Sequence, residues 1–236
     1  MSRTQERAAV VLEPRQAYEY WAPSYDSTPN PLLALEERCL STVMMSLFDQ
    51  DVVDLGCGTG RWLQKLETVA PRSLTGVDSS RAMLAAAVEK CRPSTRFFCA
   101  DCTRTPLPEH ATDFVLASFV LSYIQDLDAF TREVARIARR GAAVLISDMH
   151  PNARAYGWRR TFQAAGSLYE IAAHTHTLND VVDGMAQAGC WLEAMSEPCF
   201  GLEEAHIFRQ AGRWEAFQKV ESLPVIYWAR FTVAER

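Results

Sequence analysis

The sequence predicts an α/β protein: a doubly wound, mostly parallel sheet of seven strands with helices on both faces. Three observations predict it. Short apolar runs alternate with segments of helical period through the middle of the chain. A glycine-rich turn, Gly56-Cys-Gly58-Thr-Gly60, follows the first of those runs. Three acids, Asp54, Asp78 and Asp101, stand at the ends of three successive runs.

Residues 1–15 read as a loosely ordered lead. The aromatic stretch 15–30, with Tyr18, Tyr20, Trp21 and Tyr25, runs into Pro29-Asn-Pro31, which stops any helix that begins near Pro14. Over 32–48 the spacing of Leu32, Leu35, Cys39, Val43 and Leu47 is helical. Residues 52–55 then read as a short buried strand, and Trp62, Leu63 and Leu66 mark the apolar face of the next helix. Strands follow at 73–78, 95–100, 113–118 and 141–148, with helices at 80–90 and 126–139. Such alternation implies parallel βαβ units, and sheets of that kind bind ligands beyond the carboxyl ends of their strands.

After Pro151 the rhythm breaks. Residues 152–176 read as an irregular, aromatic and basic insertion. A helix resumes over 177–188, with Thr177 or Asn179 at its cap and Gly189 at its end. Two late strands, 191–196 and 225–233, flank polar helical material at 201–220 and complete the seven. The chain therefore divides into an N-terminal helical lid (1–48), a ligand-binding core (49–151), a cap insertion (152–176) and a C-terminal completion of the sheet (177–236).

Composition removes several classes. With 48% hydrophobic residues a sizeable core is available, and a net charge of −5 disfavours a chain built to grip nucleic acid. The arginines at 154, 159 and 160 read as solvated surface, with anchoring of an acidic substrate as the alternative. No apolar run reaches the length of a membrane span, and the charged first fifteen residues lack the apolar centre of a signal peptide, so a cytoplasmic protein without a membrane partner is expected. Seven scattered cysteines read as free thiols. Cys99-Ala-Asp-Cys102 lacks the second pair a structural zinc site needs, and no metal set is evident.

The chemistry concentrates between Asp54 and Asp101. Glycines at a strand-to-helix turn let a ligand approach the main chain without a Cβ in the way. Asp78 can accept both hydroxyls of a ribose, and Asp101 can accept from an exocyclic amine. The row matches an adenosine carrying an amino-acid tail, not a pyrophosphate. These residues resemble the motifs of the class I S-adenosylmethionine-dependent methyltransferases, in particular the small-molecule type 11 branch that includes ubiquinone and menaquinone methyltransferases. The resemblance rests on Asp54-Leu-Gly-Cys-Gly-Thr-Gly60, on Gly76-Val-Asp78-Ser-Ser-Arg-Ala-Met-Leu84, on Ala100-Asp101-Cys102 and on the strand from Asp113 to Phe119. It implies a Rossmann-like core.

That resemblance implies S-adenosylmethionine as cofactor and S-adenosylhomocysteine as product. Asp54 and Gly56, with Gly58 and Gly60 in the same turn, would hold the methionine end. Asp78 with Ser79 would take the ribose, Met83 the adenine face, and Asp101 with the Cys102 amide its edge. The backbone near Ser118 would take the ammonium, and Tyr25 would lie over the cofactor. His150 and His174 are candidate general bases for an acceptor that must lose a proton.

Methyl transfer to a small molecule, oxygen or nitrogen before carbon, is the expected activity, in a monomer or homodimer. A silent cofactor-binding subunit on the same fold is the alternative. A nicotinamide oxidoreductase fits poorly, because its third glycine would fall on Arg61. Adenine and glutamine-amide acceptors are disfavoured by Ala117-Ser-Phe-Val120, which stands where such enzymes carry Asn/Asp-Pro-Pro-Tyr. Aromatic residues in the lid and insertion suit a small, partly apolar or planar acceptor.

Overall fold

A computed structural model describes residues 9–27 and 29–235, without the side chain of residue 154. The N-terminal part comprises β1 (Val10–Leu12), α1 (Pro14–Trp21), a 3₁₀ stretch (Ala22–Ser27) and α2 (Pro31–Met44). The core follows as β2 (Asp51–Leu55), α3 (Arg61–Leu66), β3 (Ser73–Asp78), α4 (Arg81–Lys90), β4 (Arg96–Cys99), β5 (Thr112–Ser118), α5 (Leu127–Ile137) and β6 (Ala138–Met149). The rest is β7 (Thr161–Ala164), β8 (Ser167–Ile171), α6 (Leu178–Gln187), β9 (Cys190–Ser196), α7 (Leu202–Gln210), α8 (Trp214–Val220) and β10 (Ile226–Val233).

Seven strands form one sheet in the order β4-β3-β2-β5-β6-β10-β9. The first five run parallel, and β10 alone runs against its neighbours on both sides. The chain moves one way from β2 to β3 and β4, then returns to β5 and β6 on the other side. The strand order thus reverses between β2 and β5, the place where a doubly wound sheet opens a crevice for a ligand. Asp54 and Ser118, near the ends of those two strands, sit at that point.

β2 is buried from Val52 to Leu55, as a central parallel strand covered on both faces must be. Alternate residues serve opposite layers. Val53, Leu55 and Val115 join Phe130, Val134 and Ile137 of α5, whereas Val52 and Phe114 join Trp62, Leu63 and Leu66 of α3. Leu63 is fully buried, so truncation to alanine costs about 2–5 kcal/mol.

Local signals set the helix ends. Asn30 accepts from the Leu32 amide to start α2, with Pro31 in the first turn where its missing N–H costs nothing. Asp126 caps α5, and Thr177 with Asp180 forms a capping box on α6, whose end lies at Gly189.

Two expectations fail. The insertion 152–176 is not irregular throughout. Its residues 161–171 form the β7–β8 hairpin, closed by Ala165 and Gly166, both in the left-handed region as a two-residue turn with matching twist requires. Nor is the lead loose up to residue 15, because β1 pairs in parallel with β8 and makes a separate three-stranded sheet. Residues 1–8 of that lead lie outside the described residues. The sequence pattern hid the hairpin because each strand is short and only Phe162 and Ile171 are well buried.

Candidate active site

The turn after β2 is shaped by its glycines. Gly56 has φ +73°, and a Cβ there would stand 2.6 Å from Cγ2 of Val120. Gly60, at φ +80°, starts α3, and its Cβ would stand 2.9 Å from Cys91 Sγ on the α4 side. A cleft of about 150 Å³ opens above this turn. Asp54, Gly56, Gly58, Asp78, Ser79, Met83, Asp101, Cys102, Ser118 and Tyr25 all line it. Gly60 does not: it serves the packing of the turn on α4.

The three acids sit in different surroundings. Asp78 is tied to the main chain, accepting from Gly58 N–H at Oδ2 and from Ser80 N–H at Oδ1, both at 2.8 Å. Burial still pushes its carboxyl up, against the pull of those amides. The capping of α4 falls to Ser80, whose Oγ accepts from Met83 N–H. Asp101 is exposed and accepts from the amide and hydroxyl of Thr103 at 2.7 Å, an Asx turn at the cleft edge. Cys102 beside it is buried and its thiol is pushed up by that burial, whereas Cys99 is exposed.

Asp54 is the unusual one. It is 2% exposed, and its Oδ1 has no hydrogen-bond partner among the described residues. Burial pushes its carboxyl up to about 8; Arg61 opposes that shift, while Glu36 and Asp78 add to it. Arg61 is half-satisfied in the same way. Its Nη2 donates to Glu36 and to Ser118 Oγ, but its Nη1 is enclosed and unpartnered. Glu36, fully buried on α2, also accepts from Trp62 Nε1 and from the hydroxyls of Ser118 and Ser147. An orphan carboxylate oxygen and an orphan guanidinium nitrogen thus belong to residues lining one cleft. Orphans of this kind are costly in a folded interior, and an ammonium and a carboxylate from one ligand would satisfy both.

The N-terminal part lies over this cleft, held by two acids. Glu19 accepts from the hydroxyl of Ser80 and the amide of Arg81 at the start of α4. Asp26 accepts from Thr59 Oγ1 at 2.9 Å and from Lys90 Nζ at 2.6 Å. Between them Tyr18 and Tyr25 line the cleft, with the Tyr18 ring edge-on to Tyr123.

With that geometry in place, the chain's likeness to known proteins is specific. A type 11 family model described as "Methyltransferase domain" matches residues 53–146, the span from β2 into β6. A demethylmenaquinone methyltransferase from Roseiflexus sp. (strain RS-1) is 32% identical over 58% of this chain and 62% of its own length. A malonyl-[acyl-carrier protein] O-methyltransferase from Serratia marcescens is 28% identical over 66% of this chain and 54% of its own. This chain therefore spans less than two thirds of those relatives. An S-adenosylmethionine-dependent methyltransferase from Mesorhizobium loti has the same fold, with a TM-score of 0.69 at 20% identity over 86% of this chain and all of the other.

Around the cleft, three placements differ from the sequence reading. His150 and His174 do not line the cleft. They border a separate space of about 20 Å³ beside Asp148. Both ring nitrogens of His150 are engaged, Nε2 with Glu197 at 2.8 Å and Nδ1 as acceptor of Asn152 N–H. His176 is likewise held, by the Ile124 carbonyl at 2.7 Å. Second, Glu36 and Arg61 join the site unannounced. Arg61 directly follows Gly60, a cation closing a glycine turn, which was the available signal; Glu36 comes from a distant helix and gave none.

Third, a larger cavity of about 890 Å³ adjoins the cleft, with Tyr25 and Leu33 lining both. Its walls come from the lid, the hairpin region and α8. Arg160 lines it too, and its guanidinium is not solvated as the sequence reading had it. Arg159 is exposed, and the Arg154 side chain lies outside the described residues.

Proposed function

We propose that the chain is an S-adenosylmethionine-dependent methyltransferase acting on a small molecule held in the larger cavity. One observation carries this reading: Asp54 and Arg61 present an orphan acceptor and an orphan donor in the cleft of a methyltransferase domain. An amino-acid tail offers both matching groups. Asp78 retains free lone pairs for ribose hydroxyls, and Asp101 with the Cys102 amide stands where an adenine edge can be read. Met83, fully buried at the cleft wall, would pack on the base.

When bound, S-adenosylmethionine supplies a methyl group already activated by its sulfonium, so transfer rests mainly on positioning. Tyr18 and Tyr25 close the site against water, and Tyr25 and Leu33 bound the passage between cleft and cavity. Oxygen or nitrogen acceptors are preferred over carbon. His150, held between Glu197 and Asn152, is not required by this scheme. Replacing it by Asn is expected to leave kcat within about threefold, since its role is a capped turn rather than proton transfer.

Calorimetric titration of the full chain with S-adenosylhomocysteine tests the reading. One site per chain is expected, with no heat from nicotinamide dinucleotides. Binding of a dinucleotide in its place would overturn it. Mass-spectrometric detection of a methylated product then separates an enzyme from a silent binding subunit.

A further inference from the structure

Arg160 is the most unusual cation of the molecule. Both terminal nitrogens of its guanidinium are screened from solvent, and neither has a hydrogen-bond partner among the described residues. Its Cζ lies 5.1 Å from the ring centroid of Phe119, which lines the cofactor cleft. Phe119 holds that ring from a backbone at φ +53°, a conformation a bulky side chain adopts only under constraint. Burial opposes the charge of Arg160, but Tyr123, Tyr18, Tyr25 and Asp148 favour it, and the net push on its pKa is upward. Asp148 attracts it from nearby, but its two oxygens already accept from Ser122 and Met149.

The cavity that Arg160 lines repeats the pattern on a larger scale. Arg159, Arg213 and Lys219 also line it, and no carboxylate does among the described residues. Its remaining walls are largely apolar and aromatic, as at Trp21, Trp158 and Phe162. A protein of net charge −5 has built one cavity with cations and without acids. A planar fork of donors without partners, enclosed beside the wall of such a cavity, matches a carboxylate. A phosphate dianion fits less well, because a single enclosed cation would leave one of its charges uncompensated.

Resting on the methyltransferase reading, we infer that the acceptor is a carboxylate-bearing small molecule with an apolar body, anchored by the guanidinium of Arg160 where the two cavities meet. Such an acceptor is ionised at neutral pH, so the anchor is available to it without a proton being removed.

The test uses the full chain saturated with S-adenosylhomocysteine. Cinnamate, hexanoate and succinate are titrated, each against its amide and all against phenyl phosphate. At least one carboxylate is expected to bind about tenfold or more tighter than its amide. Arg160→Gln should erase that preference without changing S-adenosylhomocysteine affinity, and Arg160→Lys should keep part of it. A second readout does not depend on those probes: removing a buried guanidinium whose terminal nitrogens lack hydrogen-bond partners should leave the Tm of the free Arg160→Met protein equal to or above that of the unsubstituted chain.

The inference is overturned if no carboxylate binds, if amides bind as tightly, or if Arg160→Gln keeps the preference. Tighter binding of phenyl phosphate, or a loss of S-adenosylhomocysteine affinity in Arg160→Gln, also overturns it by giving the guanidinium another ligand. A chain that fails to bind S-adenosylhomocysteine at all sinks the parent reading instead.

Discussion

Every acid of the cofactor cleft comes from a strand end between residues 54 and 101, whereas the walls of the adjoining cavity come from the lid, the hairpin region and α8. The cleft is short-range architecture. Asp78 is held by the amides of Gly58 and Ser80, and Asp101 by Thr103 two residues on. The cavity is long-range architecture, assembled only when β1 pairs with β8 and α2 packs on α7. The balance of charge also shifts, from three acids and Arg61 lining the cleft to cations without acids lining the cavity, among the described residues. On the proposed function, the difference separates what a methyltransferase domain recognises in common with its relatives from what this chain recognises for itself.

Four substitutions sharpen that contrast. Asp78→Ala should have the largest effect, lowering S-adenosylhomocysteine affinity about a hundredfold, since two charge-assisted bonds are lost and the turn at Gly58 is released. Calorimetry reads this directly, and a loss under about threefold would remove Asp78 from the site.

Asp54→Asn should weaken binding about tenfold and change the pH dependence of stability. The folded carboxyl titrates near 8, well above its ordinary value of 3.8. Between these values the native state holds a proton that the unfolded chain has released, so this group makes stability fall as pH rises across that window. The variant lacks that loss, and its Tm should overtake that of the unsubstituted protein as pH rises toward 8. For the unsubstituted chain, binding a ligand ammonium at pH 7 should release up to about one proton, visible as buffer-dependent heats. Heats independent of the buffer would show that Asp54 does not meet the ammonium.

Gly60→Ala addresses the turn without the ligand. Strain at φ +80° and the close approach to Cys91 should cost about 1–3 kcal/mol, a Tm drop of roughly 3–8 °C, with affinity unchanged within about twofold. Glu19→Gln should do least, raising the dissociation rate of bound nucleoside about two- to threefold in stopped flow by loosening the lid from α4.

The contrast also explains what was legible beforehand. The parallel strands β2 to β6, Thr177 as one of the two caps offered for α6, and ten of the eleven residues called for the cofactor, all but Gly60, follow from period, turn chemistry and neighbouring sequence; Arg61 and Glu36 do not. Gly60 was misassigned because its role is contact with Cys91, thirty-one positions later. His150 looked poised after a strand end, yet Glu197 and Asn152 occupy it from the side. Arg160 read as surface because nothing local tells that Phe119 and three tyrosines will enclose it. Long-range burial of charge leaves no periodic trace.

A crystal structure of the full chain with S-adenosylhomocysteine tests the central claim most directly. The account predicts ribose hydroxyls on Asp78, the amino-acid ammonium on Asp54, the carboxylate on Arg61, and the sulfur facing the passage bounded by Tyr25 and Leu33. A ligand whose amino-acid end lies away from Asp54 and Arg61, or whose sulfur faces away from the larger cavity, would contradict it.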